Sequence, residues 1–194
     1  KNIGNNMEVY KFKSYEDYIA MQKRVNAEKV GWVYVKKSTI QQIAEDSPFA
    51  VSILCHGTRA AAEQKFFKEF LPQSTPLGTE IGENALDYPM TIQHDFNKPI
   101  PDWAGKFDIV YSNSIDHSID PHETIRVWKE QLRENGKMYI EYSEQQSVPN
   151  YPQDPLHATA AEIKKLLEDE GLNVVGEIKE GVKAGGVVFI CKKK

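Results

Sequence analysis

Hydrophobic residues follow two kinds of spacing along the chain, short uncharged runs and helical repeats. The run 51–55 carries no formal charge and includes two β-branched residues, as expected for a strand buried on both faces. After it, apolar residues recur at helical spacing: Ala62, Phe66, Phe67, Phe70 and Leu71. Gly57 lies between the two, where a strand must turn tightly and where backbone can approach a ligand. The pattern predicts a strand, a glycine turn and a helix over 59–70.

The rest of the chain repeats this alternation of strands and helices. Further strands are predicted at 75–81, 91–94, 107–111, 137–142, 172–178 and 186–191, with helices at 122–132 and 159–167. Strands separated by helices favour a parallel sheet with right-handed crossovers, whereas the short link before the last strand favours an antiparallel hairpin. We therefore predict an α/β fold with a seven-stranded, mostly parallel sheet, an antiparallel C-terminal hairpin strand and helices on both faces.

The N-terminal residues carry helical patterns of their own. A capping signal at Ser14 and apolar residues at helical spacing predict a helix over 15–27, and a second short helix is predicted over 38–44. We assign 1–48 as an N-terminal helical appendage and 49–194 as the sheet domain. The appendage either covers an edge or face of the sheet or forms a lid over a substrate pocket.

Composition narrows the classes of function. The 194 residues are 40% hydrophobic with a net charge of -4 and a pI of about 5.8, which argues against a broad nucleic-acid-binding face. The apolar runs are too short to span a bilayer, and no secretion signal is recognisable. Cys55 and Cys191 lie in apolar runs outside any zinc-binding pattern, which indicates free thiols in a reducing compartment. We expect a cytoplasmic protein without a structural metal, a nucleic-acid partner or a membrane partner.

Two carboxylates at predicted strand ends are candidates for binding a nucleoside. Glu80 lies 23 residues after Gly57, and the two oxygens of a carboxylate match the two hydroxyl groups of a ribose. Asp95 ends the next strand and could accept a hydrogen bond from the exocyclic amine of adenine, with Phe96 beside the ring. The alternatives are a solvated glutamate before a turn and an aspartate that caps a turn. His94 should point to the opposite face and pack there.

A polar segment, 112–118, follows the fourth predicted strand, where a ligand and a second substrate should meet. His117 could serve as a general base or donate a hydrogen bond to a substrate, or it could stabilise the loop. Arg59 could reach a ligand carboxylate or remain solvated on the first turn of its helix. Glu141 and Tyr142 end the fifth strand and either line an acceptor pocket or are ordinary strand-end residues.

Taken together, these segments resemble class I S-adenosylmethionine-dependent methyltransferases from about residue 50 to residue 192. The matching segments are the glycine loop 53–59, the acidic strand end 78–81, the adenine segment 91–96, the fourth strand and its tail 107–113, the turn 115–121, and Leu132 with 135–137 before the fifth strand. The resemblance implies that residues 49–194 bind S-adenosylmethionine in a Rossmann-like domain. The implied cofactor-binding residues are Cys55, His56, Gly57, Thr58, Arg59, Glu80, Ile81, Asp95, Phe96, Ser112, Asn113 and Ser114. His117 and Asn113 are the candidate catalytic residues.

The glycine loop departs from the family pattern at three positions. The family usually has an acidic residue where Cys55 stands and glycines where Arg59 and Ala61 stand, so that Gly57 alone matches. His56, Asn113 or backbone carbonyls are therefore the alternatives for holding the methionine amino group.

The resemblance implies transfer of a methyl group from S-adenosylmethionine to a nucleophile, with the protein aligning donor and acceptor. We predict an enzyme with a small-molecule acceptor, because the sequence offers neither an added substrate domain nor a basic face. Two other interpretations are kept. The altered glycine loop would also suit a non-catalytic binding or sensor protein with this fold. A nicotinamide-dependent oxidoreductase is a further alternative, against which the closing hairpin and the single glycine argue.

Overall fold

The computed structural model describes residues 6–194, and its elements follow the predicted order. The strands are β1 (Glu8–Val9), β2 (Ser52–His56), β3 (Thr75–Glu80), β4 (Thr91–Gln93), β5 (Phe107–Ser112), β6 (Leu132–Ser143), β7 (Leu156–His157), β8 (Leu172–Ile178) and β9 (Gly186–Lys193). The helices are α1 (Tyr15–Glu28), α2 (Lys37–Asp46), α3 (Ala62–Phe70), α4 (Pro121–Gln131) and α5 (Ala160–Asp169). Each predicted helix and strand is present, with bounds that shift by a few residues.

The main sheet has seven strands in the order β4-β3-β2-β5-β6-β9-β8. The first five are parallel, and β9 pairs antiparallel with both β6 and β8. The short connection between β8 and β9 permits a hairpin but no crossover helix, so the last strand enters the sheet in the reverse direction. The predicted seven-stranded α/β fold is confirmed.

Side chains that alternate along the central strands form a hydrophobic cluster on each face of the sheet. Leu54 and Val110 belong to a cluster with α4 and α5, whereas their neighbours Ile53 and Ile109 belong to one with α2 and α3. Helices therefore cover both faces. Residues of α2, among them the fully buried Ile40, share the second cluster with the sheet. The division at residue 48 stays a prediction, but this part of the appendage contributes to the common core.

Helix α3 begins three residues later than predicted. Arg59 and Ala61 have φ angles of 44° and 63°, in the left-handed region that cannot continue a right-handed helix. The first helical residue is Ala62. The prediction that Arg59 occupies the first turn of this helix is therefore wrong.

Strand β6 begins directly after α4, earlier than predicted. Its register against β5 shifts between the pairs Phe107–Leu132 and Ile109–Lys137, which leaves an irregular stretch containing Gly136. A Cβ atom at Gly136 would lie 2.8 Å from the carbonyl oxygen of Phe107, so this close approach of two backbones requires glycine. Asn135 and Gly136 therefore belong to an irregular stretch within β6.

A small second sheet joins the N-terminal segment to the loop after β6. β1 pairs antiparallel with β7, and the Tyr10 N–H donates to the Pro155 carbonyl at 2.8 Å. Strands of two residues are too short to produce a readable pattern in the sequence. The pairing fixes the start of α1 beside the proline-containing loop 144–155. Within residues 6–194, the helices are all too short or too polar to cross a bilayer.

Candidate functional site

Two adjoining cavities lie at the carboxyl ends of the parallel strands, where open α/β sheets bind their ligands. The smaller encloses about 50 Å³ and the larger about 270 Å³. Four residues line both of them: Gly57, Arg59, Ser114 and His117. The turn after β2 and the segment after β5 thus meet between the two cavities, as the sequence predicted.

Gly57 sets how closely these two segments approach. Its φ angle is 72°, and a Cβ atom there would lie 2.6 Å from the Oγ atom of Ser114. The Gly57 N–H donates to the Thr79 carbonyl at 2.9 Å, and the Ser114 hydroxyl donates to the Gly57 carbonyl at 3.2 Å. Glycine is required here for conformation and for space.

In the turn between β2 and α3, two residues with side chains adopt the left-handed backbone conformation that glycine adopts more easily. A left-handed conformation costs a residue with a side chain about 1–2 kcal/mol, and Arg59 and Ala61 both adopt it. Hydrogen bonds hold the turn, since the Arg59 N–H donates to Glu80 Oε2 at 2.8 Å. The Arg59 guanidinium donates to the Trp32 carbonyl at 2.9 Å, in the connection between α1 and α2.

Glu80 is a buried carboxylate that joins the ends of β2 and β3. Its Oε2 atom accepts from the Arg59 N–H, and its Oε1 atom accepts from the Ile81 N–H, both at 2.8 Å. The Gly82 N–H also donates to Oε1, at 3.4 Å. A carboxylate has about four acceptor positions, so the group retains capacity for a ligand. Glu80 and Ile81 line the smaller cavity. The alternative of a solvated glutamate is wrong, because the residue is only 7% exposed.

Asp95 lines the same cavity together with Phe96, and it also caps a turn. Its Oδ1 atom accepts from the Asn97 backbone N–H at 3.0 Å and from the Asn97 side-chain amide at 2.8 Å. Its Oδ2 atom accepts from the Tyr15 hydroxyl of α1. Burial, and then Asp95 itself, hold the pKa of Tyr15 well above its usual value, so the tyrosine remains a donor. The turn-capping alternative for Asp95 is therefore observed, and its role toward adenine stays a prediction.

Helix α1 closes the smaller cavity. The Tyr18 hydroxyl donates to the His117 carbonyl at 2.8 Å, and the Gln22 side chain donates to the Gln153 carbonyl at 3.2 Å. Asn26 also lines the cavity, and its buried Oδ1 atom lacks a partner within the described part of the chain. The predicted appendage therefore lies over this cavity as well as against the sheet.

His117 lies where both cavities meet. Its Nδ1 atom is 3.0 Å from the Gln153 carbonyl, so Nδ1 carries a proton in this contact. Asp154 is 3.5 Å from the same nitrogen. Asp116 joins this group, with possible ligand atoms of the three residues within 4.8 Å of one another, and burial raises the pKa of Asp116. Sequence inspection missed this cluster because Asp154 comes from a separate loop.

Glu63 is a second site residue that sequence inspection missed. It lies in the first turn of α3, is 6% exposed and lines the larger cavity beside Asn113. Its Oε1 atom accepts from the Asn113 amide at 3.3 Å, and its Oε2 atom has no partner among residues 6–194. Burial raises the pKa of Glu63 to about 7. The available signal was an acidic residue six positions after the glycine turn, but its burial could not be read from the pattern.

Several predicted residues contribute backbone or packing rather than a side chain to the site. His56 is fully buried, with its ring stacked on Trp128 at 4.9 Å, and its nitrogens contact Thr79 and Gln131 at 2.9 and 2.8 Å. Burial lowers the pKa of His56 to about 3, so the ring is neutral. The interpretation that its side chain holds a ligand amine is wrong.

The side chains of Cys55 and Ser112 are likewise buried away from both cavities. The Cys55 thiol lies in the α2–α3 cluster, and the Ser112 hydroxyl donates to the His56 carbonyl at 3.0 Å. Thr58 lines the larger cavity, and its hydroxyl oxygen accepts from Gln64 at 2.9 Å.

Three of the other candidates are accounted for by packing or by local hydrogen bonds. His94 packs on Trp103 as expected, but it also lines the smaller cavity. Glu141 accepts from the Tyr111 hydroxyl at 2.7 Å and is 1% exposed. Tyr142 donates to the Ala158 carbonyl at 2.6 Å. Glu141 and Tyr142 are absent from the described linings of the two cavities, so the structure favours their alternative as strand-end residues.

Comparison with known proteins gives a likeness in structure rather than in sequence. No protein-family model matches the chain, and no curated protein matches it significantly. A solved 1,6-didemethyltoxoflavin-N1-methyltransferase from Burkholderia thailandensis, with bound 1,6-didemethyltoxoflavin and S-adenosylhomocysteine, has a TM-score of 0.71 at 13% identity, over 95% of this chain and 92% of its own. The mitomycin 7-O-methyltransferase MmcR has a TM-score of 0.66 at 12% identity. The match covers 81% of this chain and 54% of the MmcR chain. The [4+2]-cyclase SpnF has a TM-score of 0.64 at 11% identity, over 81% of each chain.

These likenesses concern the fold. The chain has the fold of class I S-adenosylmethionine-dependent methyltransferases, as its sequence segments predicted. The cyclase among the similar structures means that proteins with this fold include one whose named reaction is not methyl transfer.

Proposed function

We propose that the protein binds S-adenosylmethionine across the two cavities and transfers its methyl group to a small-molecule acceptor. The observation that carries the proposal is the meeting of Gly57, Glu80 and Asp95, from three separate strand ends, around the smaller cavity. A close backbone turn, a carboxylate for a diol and a carboxylate for an amine are the groups that an adenosine needs.

The residues around the smaller cavity would hold the adenosine part. Glu80 would accept hydrogen bonds from both ribose hydroxyls through the oxygens already oriented by Arg59 and Ile81. Asp95 would accept from the adenine amine, in place of the hydrogen bond it now receives from Tyr15. Phe96 would pack against the ring.

The larger cavity would hold the methionine part and the acceptor. S-adenosylmethionine supplies an already activated methyl group, so the protein has mainly to align the acceptor and exclude water. His117, at the junction of the cavities, would take a proton from an acceptor that carries one, with Nδ1–H fixed by Gln153. Asn113 would orient groups beside it.

A small-molecule acceptor is proposed because the larger cavity has a modest volume of about 270 Å³. The loop that contains Asp154 borders it, together with Trp32 and Tyr34. The two methyltransferases named above are themselves named after small molecules, mitomycin and 1,6-didemethyltoxoflavin. A cytoplasmic location and the absence of nucleic-acid and membrane partners stay predictions.

Isothermal titration calorimetry with S-adenosylmethionine and S-adenosylhomocysteine tests the proposal. We expect saturable one-to-one binding of both compounds, and a Gly57→Ala variant should bind neither because its Cβ atom would displace Ser114. Absence of binding to the wild-type protein would overturn the proposal. Turnover is then tested by following formation of S-adenosylhomocysteine with a panel of phenols, amines and heterocycles.

A non-catalytic binding protein is the second candidate. Two observations favour it: the side chains at Arg59 and Ala61 in the glycine turn, and the closure of the smaller cavity by α1. It predicts calorimetric binding with no formation of S-adenosylhomocysteine on any acceptor. An oxidoreductase predicts instead that nicotinamide cofactors raise the melting temperature and S-adenosylhomocysteine does not.

A further inference from the structure

The larger cavity contains a carboxylate whose hydrogen bonding is incomplete. Glu63, in the first turn of α3, is buried, with only 6% of it exposed. Oε1 accepts from the Asn113 amide at 3.3 Å, and Oε2 is without a partner in the described chain. A buried carboxylate with an unpartnered oxygen is unfavourable unless something supplies donors and positive charge.

The protein's own cations do not fill this role. Arg59 lines the same cavity, but its guanidinium donates to the Trp32 carbonyl. Among the described residues, Glu63 forms no ion pair within 4.0 Å, while the nearby Glu141 adds further negative charge. In the part of the chain that the structure describes, Glu63 therefore lacks a compact cationic hydrogen-bond donor, which a ligand could supply.

In the family that the sequence resembles, an acidic residue is usual at a different position of the chain. The family pattern has an acidic residue at the position of Cys55, and here a thiol occupies it, fully buried in the α2–α3 cluster. Burial raises the pKa of Cys55 well above its usual value, so it supplies no negative charge. Glu63 follows the same glycine turn and lines the larger cavity from α3.

We propose that Glu63 binds the α-ammonium group of the methionine part of S-adenosylmethionine, with the Asn113 amide orienting its carboxylate. The inference rests on the proposed function. An ammonium group would donate to Oε2 and neutralise the carboxylate in one contact. The adenosine and methionine ends of the ligand would then be held by different carboxylates, Glu80 and Glu63.

A ligand pair that differs in the amino-acid group alone tests the inference. S-adenosylhomocysteine carries the ammonium group, whereas 5′-methylthioadenosine keeps the adenosine and the thioether without it. Calorimetry with both compounds is performed on the wild type, on Glu63→Gln, and on two controls. Glu69→Gln makes the same charge change on the exposed part of α3, where Glu69 pairs with Lys37. Asp116→Asn removes the other buried, incompletely bonded carboxylate of the cavity.

We expect Glu63→Gln to weaken S-adenosylhomocysteine binding about tenfold or more, with 5′-methylthioadenosine binding unchanged. The Glu69→Gln control should bind both compounds like the wild type, and the Asp116→Asn control should show no selective loss of S-adenosylhomocysteine binding. Unchanged S-adenosylhomocysteine binding in Glu63→Gln, an equal loss for both compounds, or a selective loss in Asp116→Asn instead would overturn the assignment. Failure of the wild type to bind either compound would overturn the proposed function, and the inference with it.

Discussion

The two cavities differ in how their carboxylates are satisfied before any ligand arrives. Around the smaller cavity, Glu80 accepts three backbone N–H groups and Asp95 accepts three donors. Around the larger cavity, Glu63 and Asp116 each keep a buried oxygen without a partner in the described residues. The carboxylates of the smaller cavity are already hydrogen-bonded by the protein, whereas these two of the larger cavity each lack, in the described structure, a hydrogen-bond donor on one oxygen.

This difference separates two tasks. Carboxylates that already accept several hydrogen bonds are fixed in position, which suits recognition of neutral hydroxyl and amine groups. A buried carboxylate without donors is easily protonated and gains most when a cation arrives. A carboxylate would thus recognise neutral hydroxyl or amine groups in the smaller cavity and a positive charge in the larger one.

The largest expected effect comes from removing the charge at the organised end. Glu80→Gln should weaken both S-adenosylhomocysteine and 5′-methylthioadenosine about 100-fold, because both compounds carry the ribose and two charge-assisted hydrogen bonds are affected. Calorimetry measures it. Glu83→Gln, an exposed neighbour that pairs with Lys23, is the matched control. If Glu80→Gln bound both compounds as tightly as the wild type, Glu80 would not bind the ribose, and the proposed difference between the two cavities would be wrong.

The second effect is a pH dependence of stability at the unsatisfied end. The pKa of Glu63 rises from 4.5 in the unfolded chain to about 7 in the folded protein, so between these values the folded state binds more protons. Its contribution to the free energy of unfolding therefore falls as pH rises from about 5 to 8. Glu63→Gln removes this dependence, so its stability relative to the wild type should increase by about 2 kcal/mol over that range.

Urea unfolding of both proteins at pH 5 and pH 8 measures this difference. Glu69→Gln should show no such change between the two pH values, because its carboxylate is exposed. If the wild type instead became more stable relative to Glu63→Gln as pH rises, Glu63 would not be a buried carboxylate with an unpartnered oxygen.

The third effect concerns competition for Asp95. Tyr15→Phe removes a hydroxyl that occupies an oxygen of Asp95, so S-adenosylhomocysteine binding should tighten about fivefold to tenfold. Calorimetry on the variant and on Tyr10→Phe, whose ring packs on Phe12, measures the change. Weaker binding would mean that the Tyr15 hydroxyl assists the ligand rather than competing with it.

The smallest effect lies in the turn between the cavities. Arg59→Gly and Arg59→Ala lose the same guanidinium contact, but glycine alone relieves the left-handed conformation at φ 44°. The glycine variant should be about 1 kcal/mol more stable than the alanine variant in urea unfolding. Ala60→Gly, at a position without a positive φ, should be destabilising. An alanine variant as stable as the glycine variant would rule out backbone strain at this position.

The sheet, its closing hairpin and the meeting of Gly57, Glu80 and Asp95 could be predicted because each depends on local spacing and strand ends. The start of α3 could not, because left-handed backbone at Arg59 and Ala61 leaves no sign in residue type. His56 was misplaced because both faces of β2 are buried. Its uncharged run does not reveal that Cys55 faces α3 while His56 faces α4.

Glu63 was missed for a related reason. Acidic residues in the first turn of a helix are common on surfaces, where they complement the helix dipole. Only the tertiary arrangement of α3 against β5 distinguishes this one as buried. Asp154 and Tyr15 reach the site from distant segments, and the two-residue pairing of β1 with β7 that brings α1 near is invisible to periodicity.

That short pairing has a kinetic consequence. α1 is held at its first end by β1 on β7 and at its other end by α2, whose Ile40 is part of the core. Because α1 is held at both ends, we expect a ligand to enter by a small rotation of the helix and not by its detachment from the sheet. We therefore expect slow association and slow dissociation rates, with residence times set by the opening of this helix.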